Sequence, residues 1–264
     1  MDTTSFVEPA SHGGISMKTL VSLKDISLTF RDRPGETMKA IHDIALDIHE
    51  GEFLVLLGPS GSGKSTFLRI LSGLETRAEG KIDFAEGVSF RDMGFVFQQF
   101  ALFPWRTVFE NVALPLISRG VPESRIKTLV RKELKEMHLL EFADHFPHEL
   151  SGGMKQRVGL ARALVAKPKV VLLDEPFSEL DSFTAEDLRK EIERLWRERD
   201  VTFVMVSHNL DETVELADRV VVFSAVPAKI VATFENKLAR PRNLRSHEAY
   251  ALEDSMRAVL RQRD

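Results

Sequence analysis

Apolar and polar residues alternate along the first patterned part of the chain, residues 21–48. The alternation is interrupted once, by the turn-forming triplet Arg33-Pro34-Gly35. A period of two places successive side chains on opposite faces of a strand, so each run predicts a strand with one buried face. Two such runs separated by a Pro-Gly turn predict an antiparallel hairpin.

Further along, the apolar residues form short, nearly continuous runs, which are typical of strands buried on both faces of a parallel sheet. Residues with helical spacing separate these runs, for example Leu188, Ile192 and Leu195. Strands that alternate with helices predict an α/β fold with a mainly parallel sheet. The strand-like runs are Phe53–Leu57 and residues 170–173, 201–206 and 220–223.

Between about residues 98 and 165 the strand pattern disappears, whereas helical spacing continues through Ile126, Val130 and Leu134. We therefore expect a helical lobe inserted into the α/β core. The fold predicted from the pattern is an α/β core with a mainly parallel sheet, an antiparallel N-terminal β region and this helical insertion.

The two ends of the chain differ from the part between them. Residues 1–16 are polar, contain Gly and Ser and show no periodicity, which predicts a flexible tail. The main domain is expected over residues 17–244, followed by a C-terminal helix over residues 245–264. That helix would place Leu252, Met256, Val259 and Leu260 on one face.

Composition narrows the possibilities further. The 264 residues are 43% hydrophobic and 29% charged, which is enough apolar material for a sizeable core. Lys and Arg number 36 against 40 Asp and Glu, a net charge of -4, so no nucleic-acid partner is expected. Cysteine is absent from the sequence, which excludes disulfides and thiolate metal sites. No apolar run approaches the roughly 20 residues that span a bilayer, and no signal peptide is expected.

A glycine-rich loop directly follows the run Phe53–Leu57. Its sequence fits the phosphate-binding pattern GxxxxGK[ST], in the strand-to-helix context that the pattern requires. Glycines let backbone N–H groups converge on phosphate oxygens, and the next helix presents its positive end to the same anion. We expect Lys64 to neutralise the β- and γ-phosphates of ATP and Ser65 to bind Mg²⁺. The residues predicted to bind nucleotide here are Gly58, Pro59, Ser60, Gly61, Ser62, Gly63, Lys64, Ser65 and Thr66.

Other polar positions are ambiguous when each is considered alone. Ser151, before two glycines and an amphipathic segment, is either an ordinary helix cap or part of a second phosphate-binding helix N-terminus. Asp174 and Glu175 end an apolar run and are either solvated acids or a metal ligand and a base. Gln98 and His208 each follow a strand-like run, where a surface glutamine and a structural histidine are common.

Together and in this order, over residues 20 to about 225, these segments resemble the ATPase subunits of ABC transporters. Residues 150–157, Leu-Ser-Gly-Gly-Met-Lys-Gln-Arg, are similar to the highly specific signature motif of that family. Residues 170–176, Val-Val-Leu-Leu-Asp-Glu-Pro, are similar to its Walker B strand. Residues 178–181 are similar to its D-loop, with Glu179 where the family usually has alanine.

The resemblance implies a role for each residue. Asp174 and Gln98 would join Ser65 at Mg²⁺, Glu175 would be the general base, and His208 would contact the γ-phosphate. Phe30 falls where the family stacks an aromatic ring on adenine, although a strand residue packed in the core would look the same. The signature residues that would contact the γ-phosphate are Ser151, Gly152 and Gly153.

The resemblance also implies partners. In the family, the signature motif of one subunit faces the phosphate loop of another, so a homodimer with two shared ATP sites is expected. The permease would be formed by separate transmembrane subunits. This chain would then be a peripheral protein on the cytoplasmic face of the cell membrane.

Residues 98–112, with Pro104-Trp105 soon after Gln98, resemble the nitrate, sulfonate and taurine importer group. Residues 224–242, which end in Ala239-Arg240-Pro241-Arg242, resemble the tail region of the same group. This resemblance implies an ATP-hydrolysing subunit of a bacterial importer that works with a periplasmic or lipid-anchored solute-binding protein. Phe100, Phe103, Pro104 and Trp105 would receive a permease helix on the surface, or else pack inside the helical lobe.

Other functions share the same nucleotide motifs. The chain could serve a lipoprotein-release or lipid-trafficking ABC system, although the Pro104-Trp105 pair argues against it. A soluble ABC protein that acts on DNA or ribosomes usually has tandem ATPase units or a long insertion, for which this chain is too short. Glu175 and His208 argue against an inactive regulatory module.

Overall fold

The computed structural model describes residues 18–33 and 36–261. The predicted tail, residues 1–16, lies outside the described residues, as do Pro34 and Gly35 of the predicted turn and the last three residues of the predicted C-terminal helix. The strands, in chain order, are β1 (Thr19–Arg33), β2 (Glu36–His49), β3 (Phe53–Leu57), β4 (Glu79–Phe84), β5 (Met93–Val96), β6 (Val170–Asp174), β7 (Thr202–Ser207), β8 (Arg219–Phe223) and β9 (Ile230–Glu235).

The helices follow the strands in the alternating order that the pattern predicts. Short 3₁₀ turns lie at Phe90–Asp92, Leu140–Phe142 and Pro147–Glu149. The α-helices are α1 (Lys64–Leu71), α2 (Val108–Ser118), α3 (Glu123–Glu136), α4 (Gly152–Leu164), α5 (Ser182–Glu198), α6 (Leu210–Leu216) and α7 (His247–Arg261).

The strands form two sheets. The main sheet has the order β5-β6-β7-β3-β8-β9, with parallel neighbours except for β9, which pairs antiparallel with β8 at one edge. The N-terminal sheet has the order β2-β1-β4 and is antiparallel throughout. The predicted fold class is confirmed, including the N-terminal hairpin formed by β1 and β2. The sequence pattern did not predict β4 or β9.

The core lies on both faces of the main sheet. Along β3, Phe53, Val55 and Leu57 pack on one face with α2 to α7, whereas Leu54 and Leu56 pack on the other with α1 and the N-terminal sheet. This arrangement explains the continuous apolar runs, because a strand covered on both sides needs no polar face. The charged residues that follow these strands are therefore confined to the strand ends.

Helices α2, α3 and α4 occupy the interval between β5 and β6, where the helical insertion was expected. Thr107 and Glu110 start α2 with a reciprocal capping box, each side chain accepting a bond from the other residue's backbone N–H. Helix α4 packs closely on β5, since a Cβ at Gly94 would lie 2.6 Å from the carbonyl oxygen of Ala163. The domain limits drawn from the sequence remain a prediction.

The C-terminal segment is fixed to the core by Asp218, which precedes β8. One carboxylate oxygen accepts the backbone N–H of Phe53 at 3.0 Å, and the other accepts Arg240 at 2.7 Å and Arg242 at 3.3 Å. Arg240 also stacks 4.3 Å above the ring centre of Trp196. The Arg242 side chain is only 1% exposed, and burial lowers the pKa of this guanidinium to about 10. Asp218 is therefore the counter-charge that allows Arg242 to be buried.

Helix α7 then packs on α6, β8 and β9. Its inward face is made by Ala249 and Met256, which are buried, with Leu252, Val259 and Leu260 half-buried beside them. Within residues 18–33 and 36–261, no helix combines the length and apolarity needed to cross a bilayer.

We predict that Asp218→Asn lowers the free energy of unfolding by about 2 kcal/mol, because a buried guanidinium loses its counter-charge. Urea denaturation followed by circular dichroism would measure the change. Glu186→Gln is a matched control, because Glu186 pairs with Lys190 on the exposed surface and such pairs contribute only about 0.5 kcal/mol. Equal stability of the two variants would contradict the role given to Asp218.

Candidate functional site

The predicted phosphate loop connects β3 to α1 and requires glycine at specific positions. A Cβ at Gly58 would lie 2.9 Å from the carbonyl oxygen of Phe223, closer than real contacts allow. Gly63, the residue before α1, has φ +95°, and a Cβ there would lie 3.2 Å from the carbonyl oxygen of Ala40. Gly61 also has a positive φ of +74°. The loop therefore curves tightly before α1, with little room for larger residues.

Lys64 is the first residue of α1 and lies inside this curve. Its residue is 3% exposed, and its ammonium donates hydrogen bonds to Gly58 O at 2.8 Å, Pro59 O at 2.7 Å and Ser62 Oγ at 3.1 Å. Burial lowers the pKa of Lys64, whereas the charges of Glu175 and Asp174 act in the opposite direction. All three acceptors are neutral oxygens, which phosphate oxygens can replace as stronger, charged partners.

Ser65 and Asp174 meet at the base of the loop. The Ser65 hydroxyl donates to Asp174 Oδ1 at 2.6 Å, and this bond joins the start of α1 to the end of β6. Burial raises the pKa of Asp174, and the hydrogen bond from Ser65 opposes this effect. Two oxygen atoms that can bind a hard cation are thus held side by side.

The described residues contain no group of three or more His, Cys, Asp or Glu side chains arranged to hold a metal ion. A cation at Ser65 and Asp174 would therefore take its other ligands from water, phosphate or neutral side-chain oxygens. Mg²⁺ fits this donor set, because it prefers oxygen, keeps several waters and needs few protein ligands when it accompanies a nucleotide.

Glu175 and His208 lie side by side, each one residue beyond the end of a strand. Glu175 Oε2 is 3.1 Å from His208 Nδ1. Glu175 adopts a left-handed backbone conformation, with φ +44°, and its N–H donates to Val206 O at 3.2 Å. This unusual conformation for a non-glycine residue redirects the chain at the end of β6. The carboxylate and the imidazole are consequently brought together from β6 and β7.

A second carboxylate holds the backbone around His208. Ser207 Oγ donates to Glu212 Oε2 at 2.7 Å and accepts the N–H of Asn209 at 3.0 Å. Burial raises the pKa of Glu212, against the effect of the Ser207 hydrogen bond. The sequence analysis missed Glu212, since an acidic residue in the first turn of a helix is an ordinary capping feature. The available signal was its position four residues after His208.

A cavity of about 420 Å³ opens beside this pair of side chains. Glu175, His208 and Glu212 line one part of it, and Ser178 and Leu180 of the predicted D-loop line another. The cavity gives solvent access to the Glu175 carboxylate, so a water molecule can reach it.

Ser151 lies apart from this cluster. It is exposed and caps α4, its Oγ accepting the N–H of Met154 at 3.3 Å. A Cβ at Gly152 would lie 3.5 Å from a methyl group of Leu180, and one at Gly153 would overlap Thr184. The predicted signature segment thus packs against the residues that lead into α5. Among the hydrogen bonds of the described chain, none joins Ser151 to the phosphate loop.

Neither Gln98 nor Phe30 forms a hydrogen bond with the charged cluster in the described part of the chain. Gln98 is half-buried in the segment of residues 97–107 that connects β5 to α2, here named the β5–α2 loop. Phe30 is half-buried on β1, at the edge of the core, with the guanidinium carbon of Arg77 5.2 Å from its ring centre. The structure therefore brings together five of the predicted site residues, Lys64, Ser65, Asp174, Glu175 and His208. Ser151, Gln98 and Phe30 are not part of this cluster.

Comparison with known proteins identifies the same family that the sequence motifs resemble. A family model described as "ABC transporter" matches residues 41–178. An uncharacterized ABC transporter ATP-binding protein of Methanocaldococcus jannaschii is 41% identical over 236 residues, which is 88% of each chain. The aliphatic sulfonates import ATP-binding protein SsuB of Bacillus cereus is 39% identical over 230 residues, covering 86% of this chain and 90% of that protein.

A solved structure extends the likeness to three dimensions. The dimeric, post-hydrolysis form of the ATP-binding cassette MJ0796, bound to ADP and phosphate, superposes with a TM-score of 0.72 at 34% identity. The match covers 83% of this chain and 99% of that one. Sequence motifs, site geometry and fold thus agree, and the chain belongs to the ABC transporter family as an ATP-hydrolysing subunit.

Proposed function

We propose that this protein powers a bacterial ABC importer for a small anionic or zwitterionic solute such as nitrate, a sulfonate or taurine. The observation that carries the proposal is an exposed apolar patch, Phe103, Pro104 and Trp105, in the β5–α2 loop that also contains Gln98. The Trp105 residue is 69% exposed, and its ring centre lies 5.3 Å from that of Phe103. The similarity to SsuB, whose name describes sulfonate import, supports this class of solute.

In the proposed mechanism, the phosphate loop, Gly58 to Thr66, binds the β- and γ-phosphates of ATP, and Lys64 exchanges its carbonyl partners for phosphate oxygens. Phe30 stacks on the adenine ring. Ser65, Asp174 and Gln98 would hold Mg²⁺, which would neutralise charge on the phosphates. These residues orient the nucleotide without taking part in proton transfer.

Glu175 is proposed as the general base that orients and deprotonates the attacking water. Its position supports this role, because the carboxylate lines an open cavity within reach of solvent. His208, 3.1 Å away, is proposed to contact the γ-phosphate and fix the Glu175 carboxylate. Glu212 and Ser207 hold the backbone on either side of His208 in place.

One chain contains only half of each proposed site. Ser151, which is exposed, and Gly152 and Gly153, which are half-buried, form the N-terminus of α4, and none of the hydrogen bonds in the described chain joins Ser151 to the phosphate loop. Such a terminus binds anions through free N–H groups and the helix dipole. We propose that it binds the γ-phosphate held by a second copy, so that ATP joins two subunits and hydrolysis releases them. The dimeric form of MJ0796 supports this arrangement.

The apolar patch is the proposed docking site for a transmembrane permease subunit, on the cytoplasmic face of the membrane. Two aromatic rings and a proline exposed together are unusual on a soluble surface and suit an apolar helix. A periplasmic or lipid-anchored solute-binding protein would deliver the solute to that permease. The permease and the binding protein, rather than this chain, would select the solute.

We predict that Glu175→Gln reduces ATP hydrolysis by at least about 10²-fold, because the general base is lost, while ATP still binds. The variant should form a stable dimer in ATP, seen by size-exclusion chromatography with light scattering. Glu186→Gln, on the exposed face of α5, should hydrolyse ATP normally and dissociate. Undiminished turnover in Glu175→Gln would show that another group is the base.

Ser65→Ala should raise the Mg²⁺ concentration needed for half-maximal ATP hydrolysis by about tenfold, since one oxygen ligand and its bond to Asp174 are lost. Titration of Mg²⁺ at saturating ATP would measure this shift. Ser72→Ala removes a similar hydroxyl, which bonds only to Arg69 O at the end of α1, and should leave the titration unchanged. Coincident titrations for the two variants would exclude Ser65 as a metal ligand.

Trp105→Ala should weaken association with permease subunits by at least about tenfold, because aromatic anchors often contribute about 2 kcal/mol or more to an interface. Co-purification of the tagged chain from solubilised membranes, followed by identification of its partners, would measure the loss. Tyr250→Ala removes an exposed aromatic residue on α7 and should retain those partners. Recovery of ribosomal or chromatin proteins with the unmodified chain would instead contradict the proposed importer function.

A further inference from the structure

Arg162, near the end of α4, is buried and bonded to backbone only. The residue is 9% exposed, and its guanidinium donates to Ala101 O at 2.6 Å and to Phe100 O at 3.1 Å, both in the β5–α2 loop. Among the described residues no carboxylate lies within ion-pair distance of this guanidinium, and burial lowers its pKa without an opposing acidic neighbour. Arg162 therefore remains a buried positive charge supported by carbonyl oxygens.

Three arginines whose side chains are 1%, 12% and 19% exposed have acidic partners. Arg242 and Arg240 pair with Asp218, and Arg219 pairs with Glu52 at 2.7 Å. A buried charge without a counter-charge lowers stability, whereas a neutral side chain could fill the same space. The loss of stability that comes from burying the Arg162 charge indicates that this residue has a role beyond packing.

The backbone that Arg162 holds is itself unusual. Phe100 and Ala101 are consecutive non-glycine residues in the left-handed region, with φ of 51° and 46°. Each such residue raises the conformational energy and persists only where its surroundings fix it. The two hydrogen bonds from Arg162 end on the carbonyls of these two residues. The guanidinium thus fixes the turn between Gln98 and the apolar patch.

Helix α4 connects this turn to the proposed signature residues. Ser151 lies eleven positions before Arg162, about 16 Å along the helix at about 1.5 Å per residue. Gly159, one turn before Arg162, faces the same turn, since a Cβ there would lie at an ordinary contact distance of 3.8 Å from Phe100 O. One rigid helix is therefore bonded to the β5–α2 loop near its C-terminal end and presents Ser151 at its N-terminal end.

We infer that Arg162 is a positioning residue that couples the β5–α2 loop, and with it the apolar patch, to the position of α4. When Ser151 engages nucleotide, the tilt of α4 is transmitted through Arg162 to Phe100, Ala101 and the patch. Movement of the patch is transmitted to Ser151 by the same route, because coupling between two sites is reciprocal. The inference rests on the proposed nucleotide and permease sites.

Trp105 provides a direct test, since the chain contains only two tryptophans. In a Trp196→Phe, Glu175→Gln background, Trp105 is the sole indole and ATP is retained without hydrolysis. Emission and acrylamide quenching of Trp105 would be recorded with and without ATP, and ATP binding would be measured separately by equilibrium dialysis. Arg162→Met and Arg162→Lys would be compared with this background.

Arg119→Met is the matched control. Arg119 also donates to two backbone carbonyls, those of Ala166 and Arg91, but neither belongs to the β5–α2 loop. We expect ATP to change Trp105 emission in the background protein and in Arg119→Met. In Arg162→Met this response should be lost and quenching without ATP should increase, while ATP still binds. Arg162→Lys should regain part of the response, because an ammonium can still bond a carbonyl.

The remaining outcomes either overturn the inference or support it. A folded Arg162→Met protein with a full response would overturn it. If that variant does not fold, a full response in Arg162→Lys would overturn it and a reduced response would support it. A background protein that binds ATP without any Trp105 response would overturn the coupling but leave the proposed function intact. A background protein that does not bind ATP would overturn both.

Discussion

The parallel register of β6, β7 and β3 is the constraint on which the site depends. Asp174 pairs with Val206, and Leu57 pairs with Ser207, so the three strands end at the same level. The residues just beyond those ends are the phosphate loop, Glu175 and His208. Because each strand is covered on both faces, charge can accumulate only at this edge, where the positive end of α1 and the ammonium of Lys64 offset the two carboxylates.

The same architecture leaves the site incomplete in one chain. Lys64 and Ser65 belong to the α/β core, whereas Ser151 caps a helix of the insertion whose first residues, Gly152 and Gly153, pack against Leu180 and Thr184. In the proposed site, ATP bound by the core would have one open side. An exposed helix N-terminus and an open phosphate site are complementary, which is the physical reason why two copies would bind nucleotide together. The apolar patch lies on the loop that leads from the core into the insertion, so docking there can sense their relative position.

The parts of the fold and of the site that could be predicted are those whose structure follows from the local sequence pattern alone. Continuous apolar runs predicted β3, β6, β7 and β8, and the phosphate loop follows from residue types that tight phosphate binding requires. Strands β4 and β9 were missed because their residues are mostly half-exposed and show no clear period. The positioning role of Arg162 could not be predicted, because its partners are backbone carbonyls about 60 residues away in the chain. The two residues that carry these carbonyls adopt the left-handed conformation, but neither is a glycine that would indicate it.

A Cβ at Gly153 would overlap a methyl group of Thr184, and one at Gly152 would lie at ordinary contact distance from Leu180, so the segment after Glu175 packs directly on the start of α4. In the proposed dimer, the start of α4 would contact the nucleotide of the opposite subunit. A displacement of this segment after phosphate release at one catalytic centre would therefore change the affinity for ATP at the other. Hydrolysis at the two centres would be simultaneous or alternating. The rate of hydrolysis would then depend on ATP concentration more steeply than a single hyperbola.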